Sequence, residues 1–285
     1  MRSRWLASLS LVAACATGSS DSKPAPGTKA ESTPKAAGKS GAQATAAAPV
    51  EGQAPETVEL TAADGTKVFA DHYPAAEAGA PILLLFHQAG WNAGEYRPIA
   101  PKLVALGVDV LATDQRSGGA RDGTRNRTVD ALGDSTEYLP AYPDLEAALA
   151  WAKAKAKAEG SSKVLAWGSS YSAALVFKLA AEHGDELAAI LAFSPGEYIG
   201  DEGTVAGWAK RVTLPVFVTS APGEEVAAAK VILDATKSTD PVRFVPEHGV
   251  HGASILREDK DPQGAALAWR PVEEFLKGFA GRGPS

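Results

Sequence analysis

From Pro81 onward, short runs of apolar residues alternate with stretches of helical periodicity, and this alternation constrains the fold more than any other feature of the chain. The run Pro81-Ile82-Leu83-Leu84-Leu85-Phe86 has no polar residue on either face, so it reads as a strand buried on both sides. Further strand-like runs occur at 108–113 and 164–167, then at 188–193, 214–219 and 242–245. Helical patterns fill the intervals, at about 94–106, 143–159, 171–183, 224–236 and 264–279. Asp144 after Pro143 starts the second of these and Gly160 stops it. Repeated strand–helix units predict an α/β protein, a mostly parallel sheet with helices on both faces. Ahead of them, Thr57–Thr61 and Lys67–His72 alternate around an Asp64-Gly65 turn and read as an antiparallel hairpin.

The first 55 residues differ in kind. Arg2 and Arg4 precede an apolar run from Trp5 to Ala14 that is too short to span a bilayer and fits the core of a signal peptide, residues 1–14. From Ala16 to about Pro55 the chain is mostly Ala, Gly, Ser, Thr, Pro and Lys with almost no large apolar residue, a composition that cannot build a core. Residues 15–55 are therefore expected to be a linker, with a root-mean-square reach of about 35 Å as a flexible coil, leaving 56–285 as the folded domain. Six basic residues in 1–55 (Arg2, Arg4, Lys23, Lys29, Lys35, Lys39) stand against three acidic ones (Asp21, Glu31, Glu51), a net of +3. The remainder carries 22 basic and 31 acidic residues, a net of −9. An acidic domain with no basic block does not fit a nucleic-acid partner. One cysteine and five histidines with no H-E-x-x-H pair exclude a disulfide framework and the familiar zinc-site patterns, and no metal or cofactor is expected.

The run Val12-Ala13-Ala14-Cys15 resembles the lipobox of bacterial lipoproteins. That resemblance implies cleavage before Cys15, lipidation of its thiol, and a membrane-anchored protein of the cell envelope. Several acyl chains on one cysteine would anchor firmly, where a single chain binds marginally.

Chemistry enters where the strand ending at Trp167 runs into Gly168-Ser169-Ser170-Tyr171-Ser172 and an Ala-rich helix. This G-x-S-x-S is close to the G-x-S-x-G nucleophile elbow, in which a serine sits on a sharp strand-to-helix turn between small residues. The chain here resembles the α/β-hydrolase superfamily over about residues 56–285. The resemblance implies that Ser170 is the nucleophile; Ser169 is its neighbour in the motif, and Ser172 replaces the second glycine. His87-Gln88-Ala89-Gly90 resembles the superfamily's H-G-x-G oxyanion loop, with Gln88 where glycine is usual. By position the backbone N–H groups of Ala89 and Tyr171 would form the oxyanion hole, with the Gln88 side chain as an alternative donor. His87 is read as structural. Asp114-Gln115-Arg116-Ser117-Gly118-Gly119 resembles the family's D-x-R-G-x-G turn, with Asp114 and Arg116 expected to pair with each other.

The family order of nucleophile, acid and histidine puts the base last. His248 and His251 both follow the final strand; His251, leading into Gly252 and an apolar stretch, is the expected base. Glu224 falls where the family's acid sits after the strand at 214–219, with Glu225 and Glu197 as alternatives. His183 is explained by the C-terminus of a helix and His72 by an exposed hairpin. Only about twenty-three residues, 120–142, separate the Asp114 turn from the next helix, so a cap is expected to be minimal or absent. This suggests an open site similar to the dienelactone-hydrolase-like branch, lined by Tyr171, Trp91, Tyr96 and Tyr198. The resemblance thus implies a serine esterase acting on a small-molecule ester or acyl substrate, with no obligate protein partner. A peptidase using the same residues, or a non-catalytic binding lipoprotein on this fold, are the other readings.

Overall fold

The apolar runs assemble into one eight-stranded sheet in a computed structural model that describes residues 54–160 and 163–280. The signal, Cys15 and almost all of the linker lie outside these residues. The strands are β1 (Glu56–Thr61), β2 (Lys67–Tyr73), β3 (Ile82–Phe86), β4 (Asp109–Asp114), β5 (Val164–Ser169), β6 (Ala189–Phe193), β7 (Val216–Thr219) and β8 (Pro241–Phe244). Their spatial order is β1-β2-β4-β3-β5-β6-β7-β8. β2 runs antiparallel to both β1 and β4, and every pairing from β4 to β8 is parallel. This is the α/β-hydrolase fold. The hairpin closes through the Ala62–Gly65 turn, where Gly65 N–H reaches Ala62 O at 2.8 Å.

Seven α-helices accompany the strands among the described residues: α1 (Ala100–Ala105), α2 (Arg127–Leu132), α3 (Tyr142–Glu159), α4 (Tyr171–Glu182), α5 (Thr204–Ala209), α6 (Glu225–Ala235) and α7 (Pro262–Lys277). The two-residue period of the strands divides the core between the two faces of the sheet. Ile82, Leu84, Phe86, Val164 and Ala166 pack with α3, α4, α5 and α6. Their neighbours Leu83, Leu85, Leu165 and Trp167 pack with α1 and α7 on the other face. Both faces of β3, β4 and β5 are therefore buried, which is why those strands lack polar alternation.

The helix expected over 94–106 is broken into a 3₁₀ turn, Ala93–Tyr96, and α1. Pro98 and Pro101 remove N–H groups that a continuous helix would need. Two short helices, α2 and α5, lie outside the helical patterns of the sequence. α2 is framed by an Asn126 side chain that accepts from Val129 N–H at 2.9 Å and by Gly133 in the left-handed region, an N-cap and stop visible in the sequence. α5, after Gly203, is the only helix between β6 and β7, so no cap of any size covers the sheet there.

Register decides where the functional residues fall. Phe86 pairs with Gly168, Ser169 with Phe193, Phe193 with Thr219, and Thr219 with Phe244. The parallel strands consequently end at one level, and the loops that begin at His87, Ser170, Ser194, Ser220 and Val245 share one edge. Sites in open parallel sheets form at this carboxyl edge.

Candidate active site

Ser170 occupies the turn between β5 and α4 with φ 60° and ψ −122°, a backbone conformation that costs a non-glycine residue about 1–3 kcal/mol. Its N–H is held by Phe193 O at 2.8 Å. Gly168 permits the turn: a Cβ there would lie 2.2 Å from Ser172 O and 2.5 Å from Ala173 N, so α4 can start directly over the strand only above a glycine. Ser170 is buried but for 7% of its surface. The adjacent Ser169 is fully buried, donates to Glu95 Oε1 at 3.0 Å and accepts from Ala253 N–H at 2.8 Å, which removes it as an attacking group. Ser172, in place of the second glycine, donates to His87 O at 2.6 Å and accepts from Gln115 Nε2 at 2.8 Å. The departure from the motif thus bolts the elbow to the 87–90 loop.

That loop is held by a set of buried and part-buried hydrogen bonds. His87 is fully buried; its Nε2 accepts from Gln115 N–H at 3.1 Å and its Nδ1 lies 2.8 Å from Gln88 O. Burial holds the imidazole below its ordinary pKa, and the two contacts fit the neutral Nδ1–H tautomer. His87 is structural, as expected. Gln88 is fully engaged: its N–H donates to Glu95 Oε2 at 2.9 Å and its Nε2 to Glu95 Oε1 at 2.8 Å and Ser254 Oγ at 3.2 Å. The Gln88 side chain is therefore not a free oxyanion donor. Among the described residues, the Ala89 and Tyr171 N–H groups have no acceptor, Tyr171 because it is the first residue of α4. Unpaired N–H groups of this kind are what an oxyanion hole requires.

The carboxylate that meets the histidine is Glu225. His251 Nδ1 lies 2.6 Å from Glu225 Oε1, with side chains 38% and 26% exposed. This corrects the expectation of Glu224, which is exposed at the N-cap of α6 and makes no side-chain capping bond. The two differ by one helical position, and successive helical positions face about 100° apart. Partial burial pushes the Glu225 carboxyl up, but hydrogen bonds from His251 and Ser194, with the imidazole's charge, outweigh it and hold the group below its ordinary range. The other alternative, Glu197, is committed elsewhere: it accepts from Val205 N–H at 2.8 Å and Ala206 N–H at 2.9 Å at the start of α5. His248 is exposed. With Nδ1 bound to a carboxylate, Nε2 is the nitrogen of His251 left to accept a proton. Gly252 N–H donates to Ser194 Oγ at 2.9 Å, so Ser194, at φ 53° just after β6, fixes the histidine loop. Nothing in the local sequence marked Ser194 for this role. Among the described residues Ser170 and His251 are not hydrogen-bonded to each other, and such pairs commonly close only with substrate bound.

Other expectations are redistributed. Asp114 and Arg116 do not pair with each other: Asp114 Oδ2 binds Arg127 Nε at 2.6 Å, while Arg116 binds Asp64 and the buried Asp144. His72 is not exposed but 95% buried, with Nε2 2.8 Å from Asp109 Oδ1. His183 ends α4, 3.2 Å from Glu146. Of the aromatic residues expected to line the site, Tyr96 is fully buried with its hydroxyl on Phe86 O at 2.7 Å. Trp91 is buried beneath Arg121, Arg257 and Lys260, and Tyr171 is buried with its hydroxyl on Ser117 Oγ at 2.6 Å. Tyr198 alone is exposed, at 39%, with its hydroxyl between Ser194 O and the Ser170 side chain. A groove of about 480 Å³ lined by Arg97, Lys102, Asp122, Arg257 and Asp259 does not include Ser170 or His251. Several of its charges pair within the groove, as Arg257 with Asp122 and Lys102 with Glu258.

The fold is similar to that of several hydrolases. A monoglyceride lipase of Saccharomyces cerevisiae, a soluble variant in complex with a substrate analogue, superposes with a TM-score of 0.66 at 14% identity, over 85% of this chain and 100% of that one. A dienelactone hydrolase of Anabaena variabilis gives 0.62 at 14%, over 80% and 100%. An esterase of Pyrococcus furiosus gives 0.60 at 17%, over 80% and 91%. No curated protein sequence matches the chain. Residues 78–248, more than half of the chain and including β3, the Ser170 elbow and Glu225, match the family described as serine aminopeptidase, S33; the chain belongs to that family of serine hydrolases within the α/β-hydrolase superfamily.

Proposed function

We propose that the protein is a serine carboxylic-ester hydrolase working through an acyl-enzyme. The observation that carries this reading is the 2.6 Å His251–Glu225 contact at the same sheet edge as the strained Ser170 elbow. In the proposed reaction Ser170 Oγ attacks the ester carbonyl while His251 Nε2 takes the hydroxyl proton. Glu225 holds the imidazole by Nδ1–H and stabilises its positive charge. The Ala89 and Tyr171 N–H groups receive the oxyanion of the tetrahedral intermediate. Its collapse expels the alcohol, which takes the proton from His251. Water, deprotonated by His251, then attacks the acyl-Ser170 ester; collapse of the second intermediate releases the acid, and Ser170 recovers the proton. Tyr198, exposed beside Ser170, would meet the substrate first. The absence of a large insertion between β6 and β7 favours an accessible, small ester.

An amide would follow the same steps, and the family's name and the acylaminoacyl peptidase of Pyrococcus horikoshii among the structural neighbours favour including it. The proposal extends to location: with Cys15 lipidated after export, the catalytic domain would sit on a tether at the cell envelope. The deciding experiment treats the purified protein with a fluorescent fluorophosphonate and assays p-nitrophenyl esters beside aminoacyl amides. Labelling that disappears in Ser170→Ala, with kcat reduced by several powers of ten, is the expected result. A folded protein that is never labelled and turns over neither class is a binding module, and the enzymatic reading fails.

A further inference from the structure

Glu95 is 0% exposed, in the 3₁₀ turn after β3, and the 87–90 loop and the end of β5 both bind its carboxylate. Oε2 accepts the Gln88 N–H and Oε1 accepts both Gln88 Nε2 and Ser169 Oγ. Ser169 Oγ in turn accepts Ala253 N–H, and Gln88 Nε2 also reaches Ser254 Oγ. The carboxylate thereby ties the loop preceding Ala89 to the residue preceding Ser170 and to the two residues following Gly252. Contact is tight enough that a Cβ on Gly252 would lie 2.4 Å from Ser169 Oγ.

A buried carboxylate is an expensive way to hold loops together, since an apolar plug of equal volume can serve stability as well or better. Its distinctive property is direction. Several donors converging on two oxygens fix orientation and distance in a way that packing does not. The cost is offset locally: Arg257, whose Nη1 is buried with no acceptor among the described residues, contributes positive charge. Burial still pushes the Glu95 carboxyl above its ordinary range, against the donors of Gln88 and Ser169.

We propose that Glu95 is a positioning residue for the hydrolysis proposed above, setting the oxyanion loop, the Ser170 elbow and the His251 loop relative to one another through Gln88 and Ser169. The inference rests on the esterase reading and accounts together for Gln88, a departure from the family pattern, and for the serine that precedes the nucleophile. Gln88 replaces glycine because its amide and backbone both bind this carboxylate, and Ser169 supplies the hydroxyl that passes the constraint to Ala253. Displacements of about 1 Å at a reacting centre can cost a hundredfold in rate.

The test compares Glu95→Gln, Ser169→Ala and the double variant with the parent, by ester kinetics, fluorophosphonate labelling rate and thermal melting. Glu95→Gln keeps the shape but sets an NH₂ against one or more of the arriving donors. Expected results are kcat and labelling rate lowered about 100-fold in Glu95→Gln and about 10-fold in Ser169→Ala. KM should stay within threefold, and the double variant should be no slower than Glu95→Gln, because both act through one network. All are read at temperatures where melting shows the variants folded. Variants that melt earlier yet keep kcat within threefold would show a purely structural role and overturn the inference. Should Glu95→Gln not fold, Ser169→Ala, which removes one hydroxyl and leaves Glu95 with Gln88, decides the matter alone. An unlabelled, inactive parent defeats the esterase reading and this inference with it; a labelled parent whose variants react at the parent rate defeats this inference only.

Discussion

Replacing Glu225 by glutamine removes one charge and keeps the shape of the group that holds His251, which makes it the sharpest probe of the proposed triad. As the imidazole takes the proton of Ser170 it becomes a cation whose centre lies about 4 Å from the Glu225 carboxylate. Two unit charges at that separation interact by about 4 kcal/mol at an effective dielectric of ~20. Both side chains are part-exposed, at 38% and 26%, so water takes a share of this. The retained amide oxygen can still accept Nδ1–H. We expect a net loss of about 2–3 kcal/mol of transition-state stabilisation, or roughly 30- to 150-fold in kcat. Glu224→Gln should stay within twofold, since that side chain is exposed and caps nothing. The assay is initial-rate kinetics on a p-nitrophenyl ester, normalised by fluorophosphonate titration, with His251→Ala as the reference for complete loss of the base. Glu225→Gln retaining more than a third of the parent kcat, or Glu224→Gln falling as far as Glu225→Gln, would refute the assignment.

Gly168→Ala should destabilise by about 3 kcal/mol or more, because its Cβ meets the backbone of Ser172 and Ala173 at 2.2–2.5 Å. A drop of at least 6 °C in Tm is expected, and a change under 2 °C would contradict the account of the elbow. The hydrogen bond from Arg116 holds the Asp64 carboxyl far below its ordinary pKa. An acid so depressed contributes stability above its unfolded value of about 3.9, and loses it progressively as pH falls toward the folded value. Asp64→Asn should therefore lower Tm at pH 7 by more than at pH 2–3, and an equal deficit at both would show that the pair is not its source. Cys15→Ala should move the protein from the membrane fraction to the soluble fraction with ester kinetics unchanged; a variant that still sediments with membranes places the anchor elsewhere.

Much of the site can be read locally. A serine at positive φ needs small neighbours and a glycine beneath the following helix, and Gly168-Ser169-Ser170-Tyr171-Ser172 displays that requirement in five residues. The strands of the parallel core are equally local, because burial on both faces leaves an unbroken apolar run whatever lies around it. Helices α2 and α5 have six residues each, too few for a periodicity to emerge. His72 reads as surface because hairpins usually are, but Asp109 at the start of β4 buries it.

The sequence alone determined the alternation of strand and helix, the antiparallel start, and the turn on which Ser170 is strained, since each is fixed by the size and polarity of residues a few positions apart. Tertiary structure decided which polar groups meet. Arg116 finds Asp64 and Asp144 rather than Asp114, Glu225 rather than Glu224 faces His251, and Gln88 reaches Ser254 across 166 positions of chain. Such partnerships depend on strand register and on helix rotation, where a single residue turns a side chain by about 100°. Backbone conformation is set by short-range sterics, whereas charge pairing is set by where distant segments cross, and a pattern along the chain encodes only the first directly.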